Sequence, residues 1–233
     1  MPEKKPGVHA GHRQRMREEF LRSGAAGMPD HRLLELILFY AIPQGDVNPL
    51  AHRLVEYFGS LAGVFHATYD QLVEVPGVGP STAVLLQLIP AAAARYMRQN
   101  ASVDGQIVSV WQLKELLDPY FFGQRDELAY LVCMDGKNKV LAVRKLGEGI
   151  MDTVQIVSRK VMEAALACNA SRAVLAHNHV SGIACPSQAD IGTTLYLKRV
   201  LAEAASIELM DHLIFAGGDM VSMAESGMLR DRR

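Results

Sequence analysis

The sequence predicts a mixed α/β protein in two parts, an all-helical first hundred residues followed by a half in which strands and helices alternate. Three observations carry that prediction. Apolar residues recur at helical spacing as far as Tyr96, a polar stretch of small residues without period runs from Gln99 to Gly105, and from Leu128 onward short apolar runs are separated by turn residues. The joint is placed in that stretch. It gives a helical domain over 1–101 and an α/β domain with a mixed sheet over 105–233.

Taken in order, Asp30 stands before an apolar-periodic run from Leu33 to Tyr40 and reads as its helix cap, and the turn residues from Pro43 to Pro49 end that run. Further helices fit Leu50 to Phe58, Leu61 to Phe65, Tyr69 to Val73 and Ser81 to Tyr96. Trp111 to Leu117 reads as a helix that opens the second domain. Leu128 to Met134 is a buried-strand run, Asp135-Gly136-Lys137-Asn138 is a hairpin signal, and Lys139 to Leu146 returns as a strand. Val161 to Cys168 is expected as a helix, Ala173 to His177 as a strand, Ala189 to Ala205 as a long helix and Asp211 to Phe215 as the closing strand.

Composition narrows the class. With 233 residues and 49% hydrophobic content the chain can bury a full core. No uninterrupted apolar run approaches the length of a spanning helix, and no signal peptide opens the chain, so a soluble cytoplasmic protein without a membrane partner is expected. Cys133, Cys168 and Cys185 lack paired spacing, which argues for reduced thiols rather than disulfides or a thiolate metal cage. Charge is balanced in both halves: residues 1–103 hold ten basic and nine acidic side chains, and those from Gly105 onward fourteen and fifteen. Neither half has the excess of positive charge that marks a nucleic-acid magnet. The first 23 residues alone lean positive, which suits either a phosphate contact or, more commonly, a solvated terminus.

The segment from His177 to Asp190 carries the chemistry. His177 and His179 lie one residue apart at a strand end, where a side-chain period of two lets both imidazoles face one way. The loop from Ser181 to Ser187 returns Asp190 from the start of the next helix. Two imidazoles and one carboxylate are a suitable catalytic zinc set: three protein ligands leave a fourth position for water, whose pKa the metal lowers to roughly 7. An isolated His-x-His is as well explained by turn capping, but here the spacing is richer. His177, one residue, His179, seven residues, Ser187, two residues, Asp190 is the motif of the JAMM metallopeptidases.

With His12-Arg13-Gln14-Arg15-Met16-Arg17, Glu35 to Tyr40 and Asp211-His212-Leu213-Ile214, the chain resembles the RadC family over nearly its whole length. That family is similar to JAMM (MPN) proteins in its C-terminal half. The resemblance implies a zinc-dependent hydrolase of peptide or isopeptide bonds, with Zn2+ as cofactor and a metal-bound water as nucleophile; the family's name implies an association with DNA repair. JAMM proteins use a glutamate on an earlier strand as general base, and the matching position is Glu127, whose plainer role is a polar residue where a strand emerges. By the same resemblance Ser187 donates to the developing oxyanion, beside a role as helix cap. Glu148 and Glu163 become alternative bases only under a different strand order. His212, beside Asp211, could orient a ligand from behind, but a core or turn residue is the commoner fate and the one expected. Two positions depart from the family pattern: Val180 stands where Pro is usual, and Ser158-Arg159-Lys160 where Pro-Arg-Glu is common. Were that missing glutamate the base, the metal site would be silent.

Val75-Pro76-Gly77-Val78-Gly79-Pro80-Ser81, between two expected helices, resembles a helix-hairpin-helix module. Its glycines permit positive φ and expose amides to a DNA backbone phosphate. No Lys or Arg occurs from Glu74 to Gln87, and a structural turn explains the glycines equally well. The alternative function from the sequence is therefore a DNA-binding, repair-associated protein using the Gly77–Gly79 hairpin, with a catalytically silent metal site.

Overall fold

The computed structural model describes residues 11–101, 105–148 and 154–230, with the side chains of the last stretch described from 157 onward. Two compact units divide between Ala93 and Ala94. The first holds α1 (His12–Ser23), α2 (Asp30–Ala41), α3 (Asn48–Phe58), α4 (Leu61–His66), α5 (Tyr69–Val73) and most of α6 (Pro80–Asn100). Leu34, Leu38, Leu54, Leu72 and Leu86 form its core, each fully buried.

Local chemistry accounts for most helix starts. Ser60 caps α4 by accepting from Gly63 N at 3.0 Å, and Thr68 and Gln71 close a capping box on α5. Asp30 is not the cap of α2. Pro29 holds that position, and the Asp30 carboxylate accepts from Leu61 N at 3.0 Å, tying α2 to the start of α4. The basic N-terminal segment is helical from His12, because two of its polar residues have inward partners. His12 Nε2 meets the buried Glu35 carboxylate at 2.8 Å, and Arg13 donates to the carbonyls of Ile42 and Gly45, both at 2.9 Å. Between α5 and α6, Gly77 adopts φ +99, the positive value expected of the hairpin. Arg53 Nη1 donates to Pro76 O beside it.

The division at Ala93 falls ahead of the polar Gln99–Gly105 stretch. The reason is local: Ala94 is buried, and Arg98 donates to Pro119 O at 3.2 Å, so the end of α6 belongs with the second unit.

That unit contains α7 (Val110–Phe121), β1 (Leu128–Met134), β2 (Val140–Glu148), α8 (Val154–Ala167), β3 (Arg172–Asn178), α9 (Gln188–Ala205), β4 (Glu208–Ala216) and β5 (Asp219–Ser222). Among the described residues the sheet has five strands in the order β2-β1-β3-β4-β5. It is mixed, as expected: β3 and β4 are parallel and joined through α9, while the other neighbours are antiparallel. β4 does not close the sheet. The short β5 follows it, and a four-residue strand beginning Asp-Met offers too little alternation to be read from sequence. α8 begins at Val154, ahead of the expected Val161.

β1 is buried along its whole length because both faces of this inner strand are covered, which explains its unbroken apolar run. Leu128, Tyr130, Val132 and Met134 pack on Leu113, Leu116 and Leu117 of α7. Ala129, Leu131 and Cys133 face the other way, towards Val161 of α8 and Leu197 and Leu201 of α9. On β3, Ala173 and Leu175 share that second face, which places His177, two residues on, beneath the start of α9.

Candidate metal centre and active site

The centre lies where β3 ends and α9 begins. His177 occupies the penultimate position of β3, and His179 follows the strand, held to β4 by its amide donating to Phe215 O at 2.8 Å. Asp190 sits in the first turn of α9, two residues inside its start. His177 Nε2 and His179 Nε2 are 2.8 Å apart, and the Asp190 carboxylate lies 3.4 Å from the first and 3.5 Å from the second. One donor atom from each of the three lies within 4.8 Å of the others, the one such group among the described residues.

Ser187 positions the carboxylate. It is the N-cap of α9: its hydroxyl accepts from Asp190 N at 3.1 Å and donates to Asp190 Oδ2 at 2.6 Å, while its own amide donates to the same oxygen at 2.7 Å. Oδ2 is thereby held, and Oδ1 is turned to His177.

Behind the histidines runs a relay of buried polar groups. His177 Nδ1 lies 2.7 Å from His212 Nε2, His212 Nδ1 lies 2.6 Å from Thr194 Oγ1, and Thr194 donates to Asp190 O at 2.6 Å. Its last acceptor is a carbonyl with no proton to give, so the direction of every hydrogen bond follows. Thr194 spends its proton on Asp190 O and accepts from His212 Nδ1. His212 then accepts at Nε2 from His177 Nδ1, which leaves a lone pair on His177 Nε2. His179 Nδ1 lies 3.3 Å from Ile183 O, and the tautomer that donates there leaves a lone pair on its Nε2. Burial pushes His177 down to about 4, against the opposing pull of Asp190, and holds the fully buried His212 well below its usual range; both are neutral at physiological pH.

With His179 in that tautomer, two imidazole lone pairs and a carboxylate oxygen converge. That donor set fits a cation, and its nitrogen–oxygen composition with three ligands suits zinc with one position open. Burial of the Asp211 carboxyl raises its pKa, although Ser222 Oγ, Ala224 N and His212 N all donate to it; these bonds fix the backbone of His212.

A cleft of about 310 Å³ opens over the centre, lined by His177, His179, Ser187, Asp190, Thr193 and Glu127 among others. Glu127 precedes β1 in the same phase as Ala129 and Leu131, and Ala129 pairs with His177, so the glutamate enters the cleft from the strand beside the histidines. Glu148 and Glu163 are exposed in ion pairs with Lys145 and Arg159 and do not line it. Lys160 is exposed on α8 and Val180 is exposed beyond β3, both also outside the lining. The sequence expects His212 as a core or turn residue; it is buried, and the structure brings it onto His177. Thr194, which no sequence expectation includes, carried one local signal, its helical i+4 spacing from Asp190.

A three-layer α/β domain with a His-His-Asp centre at the end of its inner strands defines the JAB (MPN-like) class. Residues 107–228 match the RadC-like JAB domain, and residues 9–84 the UPF0758 N-terminal domain. The chain is 39% identical over 215 residues to a UPF0758 protein of Rhodobacter capsulatus, covering 92% of this chain and all of that protein. It is 37% identical over 225 residues to a UPF0758 protein of Ruegeria pomeroyi, covering 96% of this chain and again all of the relative. The chain belongs to the RadC family. Among the described residues no helix is long and apolar enough to cross a membrane.

Proposed function

We propose that the second unit is a zinc-dependent hydrolase of peptide or isopeptide bonds. The observation that carries this reading is the convergence of two imidazoles and a carboxylate within 4.8 Å, in a cleft that Glu127 also lines. His177, His179 and Asp190 hold the metal. The chemistry zinc supplies when bound is Lewis acidity, which lets water ionise near neutral pH and polarises the scissile carbonyl.

The remaining work falls to the chain's own groups. Glu127 accepts the proton of the attacking water and returns it to the leaving amine, as a carboxylate within reach of both can do. Ser187 orients Asp190, and its hydroxyl serves the developing oxyanion once released from that carboxylate. The relay through His212 and Thr194 keeps the His177 lone pair aimed into the cleft.

The test is turnover of peptide and isopeptide libraries by zinc-loaded protein, with Glu127→Gln as the variant. Cleavage by the wild type, lost by at least about 100-fold in a variant that keeps its zinc, supports the assignment. A wild type fully loaded with zinc that cleaves nothing is a silent metal site and ends the hydrolase reading; salt-dependent DNA binding that survives His179→Ala then becomes the function to pursue.

A further inference from the structure

β1 and β3 pair in regular antiparallel register from Met134 opposite Arg172 to Ala129 opposite His177, the last pair of that ladder. One side chain of β3 reaches past that end to the backbone leading into β1: Asn178, 7% exposed and lying between the two histidines in sequence. Asn178 Oδ1 accepts from Leu128 N at 2.7 Å, and Asn178 Nδ2 donates to Asp126 O at 3.0 Å. These two backbone groups belong to the peptide units on either side of Glu127.

We propose that Asn178 is the positioning residue for Glu127, its carboxamide standing in for a missing rung of the ladder and fixing the backbone from which the glutamate projects into the metal centre. The proposal rests on the reading of Glu127 as the base. Binding the C=O before a residue and the N–H after it constrains both soft dihedrals of that residue, and hence the direction of its Cα–Cβ bond. The bridge needs one donor and one acceptor on a rigid planar group, which a carboxamide has and a carboxylate lacks. Asn178 lies on the face of β3 opposite His177, so it can brace Glu127 without entering the cleft. A single tripeptide therefore supplies two metal ligands and the clamp for the base, and relates them by one short stretch of backbone.

The experiment uses the full chain loaded with Co2+ in place of zinc, its visible absorption followed against pH. On the reading of Glu127 as the base, Glu127→Gln is expected to displace the midpoint of the spectral change by about one pH unit. Asn178→Ala and Asn178→Asp are expected to keep full Co2+ stoichiometry and displace the midpoint as Glu127→Gln does, while the double variant Glu127→Gln/Asn178→Ala matches Glu127→Gln alone. Asn178→Ser replaces either variant if it fails to fold. A wild-type midpoint in the Asn178 variants, or displacements that add in the double variant, overturns the proposal while leaving the Glu127 reading intact. A protein that binds no Co2+, or whose midpoint ignores Glu127→Gln, overturns the metal or base reading and this proposal with it.

Discussion

His177 Nδ1 stands 2.7 Å from His212 Nε2, a contact between parallel strands β3 and β4 that turns one imidazole into a directed lone pair. The two residues are 35 positions apart, and Thr194, 18 positions before His212, ends the relay on the backbone of the ligand-bearing helix. The candidate metal centre is thus backed by buried neutral groups, His212 and Thr194, in line behind His177.

Thr194→Val keeps the shape of the side chain and removes the hydroxyl that receives the His212 proton. Zinc affinity is expected to fall about 10–100-fold, the usual cost of losing a group that orients a ligating histidine. Competition with a chromophoric chelator measures it. Thr194→Ser should restore most of the loss, and a Val variant with undiminished affinity would dispose of the relay.

Protein purified without added metal should contain near-stoichiometric zinc by mass spectrometry. His177→Ala and Asp190→Ala each remove one of only three ligands and should abolish it. Retention of zinc in both variants places the metal elsewhere.

Ser187→Ala removes the N-cap of α9 and frees the Asp190 carboxylate in one step. Urea unfolding should show a loss of about 1 kcal/mol for the cap alone. The same variant should bind zinc more weakly, because Asp190 must then be ordered by the metal itself. A stability loss with unchanged zinc affinity would show that Ser187 does not order Asp190 for the metal.

Burial, reinforced by the neighbouring Cys168, pushes the Cys133 thiol up to about 12. An acid whose folded pKa lies above its unfolded value of about 8.5 keeps its proton on folding, so its linkage stabilises nothing extra at neutral pH and draws stability down as pH rises from there towards 12. Iodoacetamide at pH 8.5 should therefore modify the exposed Cys185 in the native protein and reach Cys133 only after unfolding. Mass mapping of the alkylated peptides decides it; equal rates at the two sites would show that β1 opens readily.

Much of this was legible in the sequence, and particular residues show why. The unbroken apolar run of β1 and the periodicity of α9 are local properties, so both were readable. The candidate ligands were readable for the same reason: His177, His179 and Asp190 lie within one strand–loop–helix passage, and strand and helix periods bring them towards one point. α1 was not, because its inward contacts are made by His12 and Arg13, polar residues that look solvated until Glu35 and the carbonyls around Gly45 are placed beside them.

By itself the sequence determined the α/β class, the closeness in sequence of His177, His179 and Asp190, and the place of Glu127 before the first strand. Only the tertiary structure decided the strand order β2-β1-β3-β4-β5, and with it the approach of His212 to His177 and the bridge from Asn178 to the backbone around Glu127. The physical reason is range. Local periods set which way a side chain points, whereas partners 35 and 50 residues apart are chosen by which strands pair and where the pairing stops.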